Sequence, residues 1–479
     1  MTVAYLKKQK PTTPLTSSFG SGLRSVGALL LGAGTGSRPL SYVGNNGVSR
    51  SPSGSSRSSR SRDMVDYDGK GTYIIFNVSN RLLISDLNAN CYEPVKSIHF
   101  SNYSAPLCHA FDSEAKDGHD LIVGLLSGDV RISLNRCTGV AWVPGHEGFF
   151  VVSNADGNLY VYDKSKDGNT DWAFPTIDDQ SEMMISHAKS SKSNPVARWH
   201  ICQGAVNAIS FSPDGAYLAT VGRDGYLRVF DFAREQLIFG GKSYFGALLC
   251  CSWSMDGKYL LSGGEDDLVQ VWSMDDRKMV KMGEGHKSWV SAVAFDPYWS
   301  PPNPDKPGGN TMYRFASVGQ DAQLLLWDLT TGELTVPLSG LSQSSSSSPT
   351  SSSGSPSTDR DKYNAYLARF FSPSQLKKDR DTGILQPSPG MQEILKLSPL
   401  VEYRVGVDPL STLEFTSESI LTVCREGRIT PCPRDIDSET DCSELFISNA
   451  TSNERAVTTS SEASCCRSSF KQPSAVRFM

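Results

Sequence analysis

The chain has 479 residues, 38% hydrophobic and 20% charged, with a net charge of −5; that is long enough for a large domain, but the low apolar share requires long polar insertions. Nine Lys or Arg and no Asp or Glu fall in residues 1–62, so the rest carries −14 once those nine are taken from the total. An acidic body argues against a nucleic-acid surface, which needs clustered basic charge, and no apolar run is long enough to span a membrane.

In chain order, residues 1–65 read as a disordered basic tail, with 51–62 almost pure Ser and Arg. An organelle transit peptide has a similar composition. Order is expected from Thr72, where residues 72–76 and 82–85 flank a turn at Asn80. A short pattern then recurs. Asp224-Gly225-Tyr226-Leu227-Arg228-Val229-Phe230-Asp231 has counterparts starting at Asp156, Asp266, Asp321 and Glu426, and a weaker one at Ser127. Each copy opens on a tight turn, where Asp or Gly tolerates unusual backbone angles, and continues with the alternation of a strand.

The spacing gives the architecture. Asp224 to Asp266 is 42 residues, one four-stranded repeat of a WD40 β-propeller. Longer gaps are assigned to polar insertions at 164–192, 300–310 and 342–390. The fold class is therefore an all-β WD40 β-propeller over residues 66–434, with a low-complexity Ser-rich insertion at 340–390 and a disordered Ser/Thr-rich tail at 435–479. Seven blades are expected, centred near residues 85, 120, 150, 218, 260, 310 and 420, with six and eight left open. In the last copy Cys432 replaces the usual aromatic, and Pro431 and Pro433 remove ladder donors. That blade is either truncated or completed by the strand near Thr72.

Eleven cysteines are scattered without Cys-x-x-Cys spacing, so neither a metal site nor a cofactor is expected. A reducing compartment, cytoplasmic with nuclear access, fits them best; the adjacent pair Cys250-Cys251 lies in an apolar strand. His286, Ser317, Asp321 and Trp327 have the spacing of the buried hydrogen-bond relay of a WD repeat. In it an imidazole bridges a turn Asp and a strand Ser, which in turn meets the indole N–H. The previous repeat keeps Ser262, Asp266 and Trp272 without a histidine. A hydrolase triad would use the same residue types, but no Gly-x-Ser-x-Gly elbow is present and Ser317 falls mid-strand. No catalytic residue is assigned.

From Gly204 to Leu329 the chain carries a distinctive series that includes Ser243-Tyr244-Phe245-Gly246 and His286-Lys287-Ser288-Trp289-Val290-Ser291. In this it closely resembles the WD-repeat protein 20 family, with looser likeness from Gly71 to Gly427 that includes Trp142-Val143-Pro144-Gly145. The resemblance implies a non-catalytic scaffold that binds and stimulates a ubiquitin-specific protease, usually with a second WD-repeat activator. It also implies that Phe245 and Trp289 contact the protease. Their positions suit that role, because both precede an innermost strand in neighbouring repeats and large rigid aromatics make good anchors. Arg223 and Glu265, in similar turns, are candidate polar contacts. The alternative is a substrate receptor for a cullin-type ubiquitin ligase. Such receptors often carry Trp-Asp-x-Arg, whereas Trp327-Asp328-Leu329-Thr330 lacks the arginine and Arg234 comes one residue late after Phe230-Asp231.

Overall fold

The computed structural model describes residues 1–6, 28–32, 41–43, 71–87, 94–112, 120–126, 136–166, 174–300, 312–330 and 383–434. Their strands form seven sheets. Given from the innermost strand outward, the first is Thr2–Leu6, Gly71–Val78, Arg81–Asp86 and Lys96–His99. The second is Pro106–Asp112, Asp120–Leu125, Ala28–Gly32 and Ser41–Val43. The third is Cys137–Trp142, Phe149–Asn154, Asn158–Asp163, Ala197–His200 and Met184–His187. The fourth is Val206–Phe211, Tyr217–Gly222, Tyr226–Asp231 and Gln236–Lys242, and the fifth is Leu248–Trp253, Tyr259–Gly264, Leu268–Ser273 and Lys278–Glu284. Each of these two gains a parallel outer strand, Ile384–Gln386 and Leu395–Leu397 respectively. The sixth is Val290–Phe295, Met312–Gly319, Gln323–Thr330 and Val401–Arg404. The seventh has three strands, Leu410–Phe415, Ser419–Cys424 and Ile429–Pro433.

The described residues thus form an all-β propeller, but among them complete blades number six rather than the expected seven. Six sheets have four or five strands and the last has three. The reason is visible in its outer strand, where Pro431 and Pro433 pair inward with Leu421 and Ser419. Proline is tolerated on an outer strand, and for the same reason it offers a further strand no donor. The strand near Thr72 does not complete this blade; it pairs with Thr2–Leu6 and Arg81–Asp86 in the first sheet.

Apolar clusters fill the space between neighbouring sheets. Leu261, Val269, Val271 and Val290 meet Phe315 and Trp327 between the fifth and sixth sheets, all buried. Ring closure is hydrophobic too. Ile74, Phe76 and Leu83 of the first sheet pack on Leu421, Val423 and Ile429 of the seventh, with Met1 and Val3 against them. Non-polar burial at about 25 cal/mol per Å² carries this closure without a shared hydrogen-bonded strand.

Two boundary expectations change. The reading of 1–65 as structureless is corrected at Thr2–Leu6, Ala28–Gly32 and Ser41–Val43, which are sheet strands. Tyr5 pairs with Thr72, and Leu29 lies between Tyr42 and Val123. A free strand edge accepts any extended segment that satisfies its backbone groups, whatever the distance in sequence. Likewise, residues 383–390 of the expected low-complexity insertion are described and include the strand Ile384–Gln386. The rest of the 1–65 tail, the weak copy at 127–132, the Ser-rich core of the insertion and the 435–479 tail lie outside the described residues.

Candidate functional site: one rim of the ring

The turn that opens each described copy of the repeat pattern holds a residue at positive φ. Gly225 takes φ 78°, and Asp267 and Ala322 hold the same place in the next two copies at 60° and 61°. The acidic residue just before it is the hub of the rim. In the sixth sheet, Asp321 Oδ2 lies 3.0 Å from His286 Nδ1, His286 Nε2 lies 2.8 Å from Ser317 Oγ, and Trp327 Nε1 donates to Ser317 Oγ at 2.9 Å. These partners assign the tautomer: Nδ1–H donates to the carboxylate, and Nε2 accepts from the serine hydroxyl.

The four side chains named from sequence are therefore brought together in one hydrogen-bonded chain. Ser317 and Trp327 are fully buried. A serine closed off from solvent on all sides is not placed to attack a substrate, so the geometry is that of a structural relay. Burial would raise the Asp321 carboxyl, but hydrogen bonds from His286 and the Lys287 N–H, with the adjacent imidazole, hold it below the ordinary carboxylate range.

The fifth sheet solves the same problem with Gln270, a bridging residue that sequence reasoning missed. Trp272 Nε1 donates to Ser262 Oγ at 2.9 Å, Ser262 Oγ to Gln270 Oε1 at 3.1 Å, and Gln270 Nε2 to Asp266 Oδ2 at 2.7 Å. The signal was available, since a carboxamide four residues after the turn Asp can span the gap left by a missing histidine. With Gln270 as the bridge, burial dominates and raises Asp266 to about 6, against the hydrogen bonds it accepts. In the seventh sheet the corresponding pair is Thr422 and Cys432, with Oγ1 and Sγ 4.0 Å apart. The Cys250-Cys251 pair sits in the innermost strand of the fifth sheet, where burial pushes the Cys250 thiol up and Cys251 up to about 12.

Each relay carboxylate also grips the loop that leads into an innermost strand. Asp266 Oδ2 accepts the Tyr244 N–H at 3.3 Å, beside Phe245, and Asp321 Oδ2 accepts the Lys287 N–H at 2.8 Å, two residues before Trp289. Further bonds pin both loops. Ser243 Oγ donates to Gly246 O, Glu265 Oε2 accepts the Ala247 N–H at 3.0 Å, and the Gln320 N–H donates to Trp289 O at 2.9 Å. Ser388 Oγ, from the returning insertion, donates to Ser243 O at 2.8 Å. On this fixed backbone Phe245 is 71% exposed and Trp289 42% exposed. They sit in the loops leading into the innermost strands of the fifth and sixth sheets, and those two strands are neighbours. Arg223 is exposed at the equivalent turn of the fourth sheet, whereas Glu265 is engaged in holding the Phe245 loop.

Among the described residues, no group of three or more His, Cys, Asp or Glu side chains could hold a metal ion. No helix among them is long and apolar enough to cross a membrane.

Comparison with known proteins agrees with this geometry. The family model for the WD domain, G-beta repeat, matches residues 193–231 and 238–273, which take in the Ala197–His200 strand of the third sheet and most of the fourth and fifth sheets. WD repeat-containing protein 20 of Mus musculus is 34% identical over 330 residues, 56% of this chain and 58% of that protein. The chain thus spans a little over half the length of this curated relative. The resemblance carried by the 204–329 segment is borne out.

Proposed function

We propose that this WD-repeat chain, a relative of WD repeat-containing protein 20, is a non-catalytic scaffold that docks on a ubiquitin-specific protease and stimulates it. One observation carries the reading: Phe245 and Trp289 stand exposed on adjacent blades while their backbones are pinned by the Asp266 and Asp321 relays. Exposed apolar rings on a pre-ordered backbone lose little entropy on binding, which is what makes an anchor residue. The scaffold contributes no nucleophile, metal or cofactor to the reaction. It acts by favouring the protease conformation to which it binds more tightly. A second WD-repeat activator bound to the same protease and a cytoplasmic site of action with nuclear access belong to the same proposal; the cysteine usage of the chain supports the compartment.

The test uses purified full-length chain and a panel of recombinant ubiquitin-specific protease catalytic domains. Hydrolysis of a fluorogenic ubiquitin substrate is followed with and without the chain, and with a candidate WD-repeat activator added. The expected outcome is a rise in rate with at least one protease. Phe245→Ala and Trp289→Ala should each weaken binding by about 1 kcal/mol or more. A double variant that folds and binds like the parent would remove these residues from the interface. Stable co-purification with a cullin-ligase adaptor in place of any protease would favour the receptor reading.

A further inference from the structure

The innermost strands of several sheets start in one shared register. Pro106 pairs with Leu125, Leu248 with Gly264, Val290 with Gly319 and Leu410 with Cys424, each followed at once by a bulge. Residues at a fixed distance before these starts therefore occupy equivalent places on one rim. Three residues ahead lie Tyr103, Phe245, Lys287 and Val407. Tyr103 is 87%, Phe245 71% and Val407 80% exposed. In the sixth sheet the apolar residue comes two places later, as Trp289. The fifth, sixth and seventh sheets are consecutive around the ring, so Phe245, Lys287 and Val407 hold equivalent places on three successive blades, with Trp289 two residues on from Lys287.

Size makes those places matter. Two aromatic side chains supply roughly 150–250 Å² each, while a stable interface buries about 800 Å² per partner. A partner anchored on Phe245 and Trp289 must therefore cover more of the same rim. The charges on that side are unequal. Lys287, Arg404 and Arg425 are exposed around Trp289 and Val407, with two exposed acids beside them, Glu426 next to Arg425 and Glu402 two residues before Arg404. Arg425 is tied to this edge by its N–H to Pro409 O, two residues from Val407, and Arg404 lies opposite Gln323 at the start of its strand. Asp408 is neutralised by Arg428 at 2.6 Å.

We infer that the docking footprint runs across three blades, with Val407 of the seventh sheet as a third apolar anchor and Lys287, Arg404 and Arg425 as a basic margin. The occupant is the protease of the proposed function, on which this inference rests, and it presents an apolar ridge bordered by carboxylates. The incomplete blade thus takes part in recognition as well as closing the ring. Tyr103, two blades further around, lies outside the footprint.

The test measures binding by surface plasmon resonance, using whichever catalytic domain of the panel the wild-type chain binds most tightly, with thermal melts to confirm folding. Val407→Asp should weaken affinity at least tenfold and Val407→Ala severalfold. Arg404→Glu with Arg425→Glu should slow association and flatten its salt dependence. Tyr103→Asp should change affinity less than twofold. If Phe245→Ala weakens binding while folded Val407→Asp binds like wild type, the three-blade footprint is wrong and the two-residue anchor stands. If no protease of the panel binds the wild-type chain, the functional reading falls and takes this one with it.

Discussion

The fifth and sixth blades stand side by side and do the same job with different chemistry. In both, a turn Asp is linked through a bridging residue and a buried Ser to a Trp indole. The bridge in the sixth is a ring from the incoming loop, His286, which ties that loop to the sheet. In the fifth it is Gln270, from within the sheet itself, so the loop bearing Phe245 is held by Asp266, Glu265 and Ser388 instead. The fold requires a satisfied path from carboxylate to indole, and it accepts more than one residue as the link. What changes is the electrostatic state of the carboxylate: depressed beside the imidazole, raised to about 6 beside the amide.

The largest separation between the blades should come from removing the bridge. His286→Ala strands Asp321 and Ser317 and frees the loop, so it should lower unfolding stability by about 3 kcal/mol, against about 2 kcal/mol for Gln270→Ala. Chemical denaturation of both variants, read by tryptophan fluorescence, checks the order. Equal losses would mean that loop attachment adds nothing.

Packing against the two indoles gives the next contrast. A Cβ on Gly241 would sit 2.3 Å from Trp272 Cζ3, whereas on Gly283 it would sit 2.9 Å from Trp327 Cζ3. Overpacking typically costs about 1–3 kcal/mol. Gly241→Ala should therefore fall near about 2–3 and Gly283→Ala near about 1, measured by the same unfolding experiment. A reversed order would show that the Trp327 side yields less than its spacing suggests.

The smallest effect is a difference in pH response. Because Asp266 has a raised folded pKa, its contribution is full below the unfolded value, near 3.8, and is lost as pH rises through about 6. Asp321 has a depressed one, so its contribution is present above the unfolded value and is lost only as pH falls through the lowered folded value. Lowering pH from 7.5 to 5 should widen the melting-temperature deficit of Asp266→Asn relative to wild type. The deficit of Asp321→Asn should hold steady over the same range. Parallel shifts in the two variants would show that the bridging residue does not set the titration.

Much of this was legible in single residues. The repeat pattern placed the strands of the fourth to sixth sheets, because a positive-φ turn and a two-residue alternation are local properties. The relay residues His286, Ser317, Asp321 and Trp327 could be named from the spacing of the repeat, whereas Phe245 and Trp289 were singled out by the resemblance to the WD-repeat protein 20 family. Gln270 went unseen because a histidine was the expected bridge. Val407 went unseen because a lone valine in a loop has no signature until its register is compared with that of Phe245.

Read alone, the order of residues determined the kind of unit that repeats and where its turns fall, since backbone angles and side-chain alternation are decided within a few neighbours. Which strand lies at each edge was decided only in three dimensions. Thr2–Leu6 leads the first sheet and Ala28–Gly32 joins the second, while Ile384–Gln386, Leu395–Leu397 and Val401–Arg404 return to the fourth, fifth and sixth. Backbone hydrogen bonding at an open edge depends on reach and geometry, and carries little mark of the side chains that supply it.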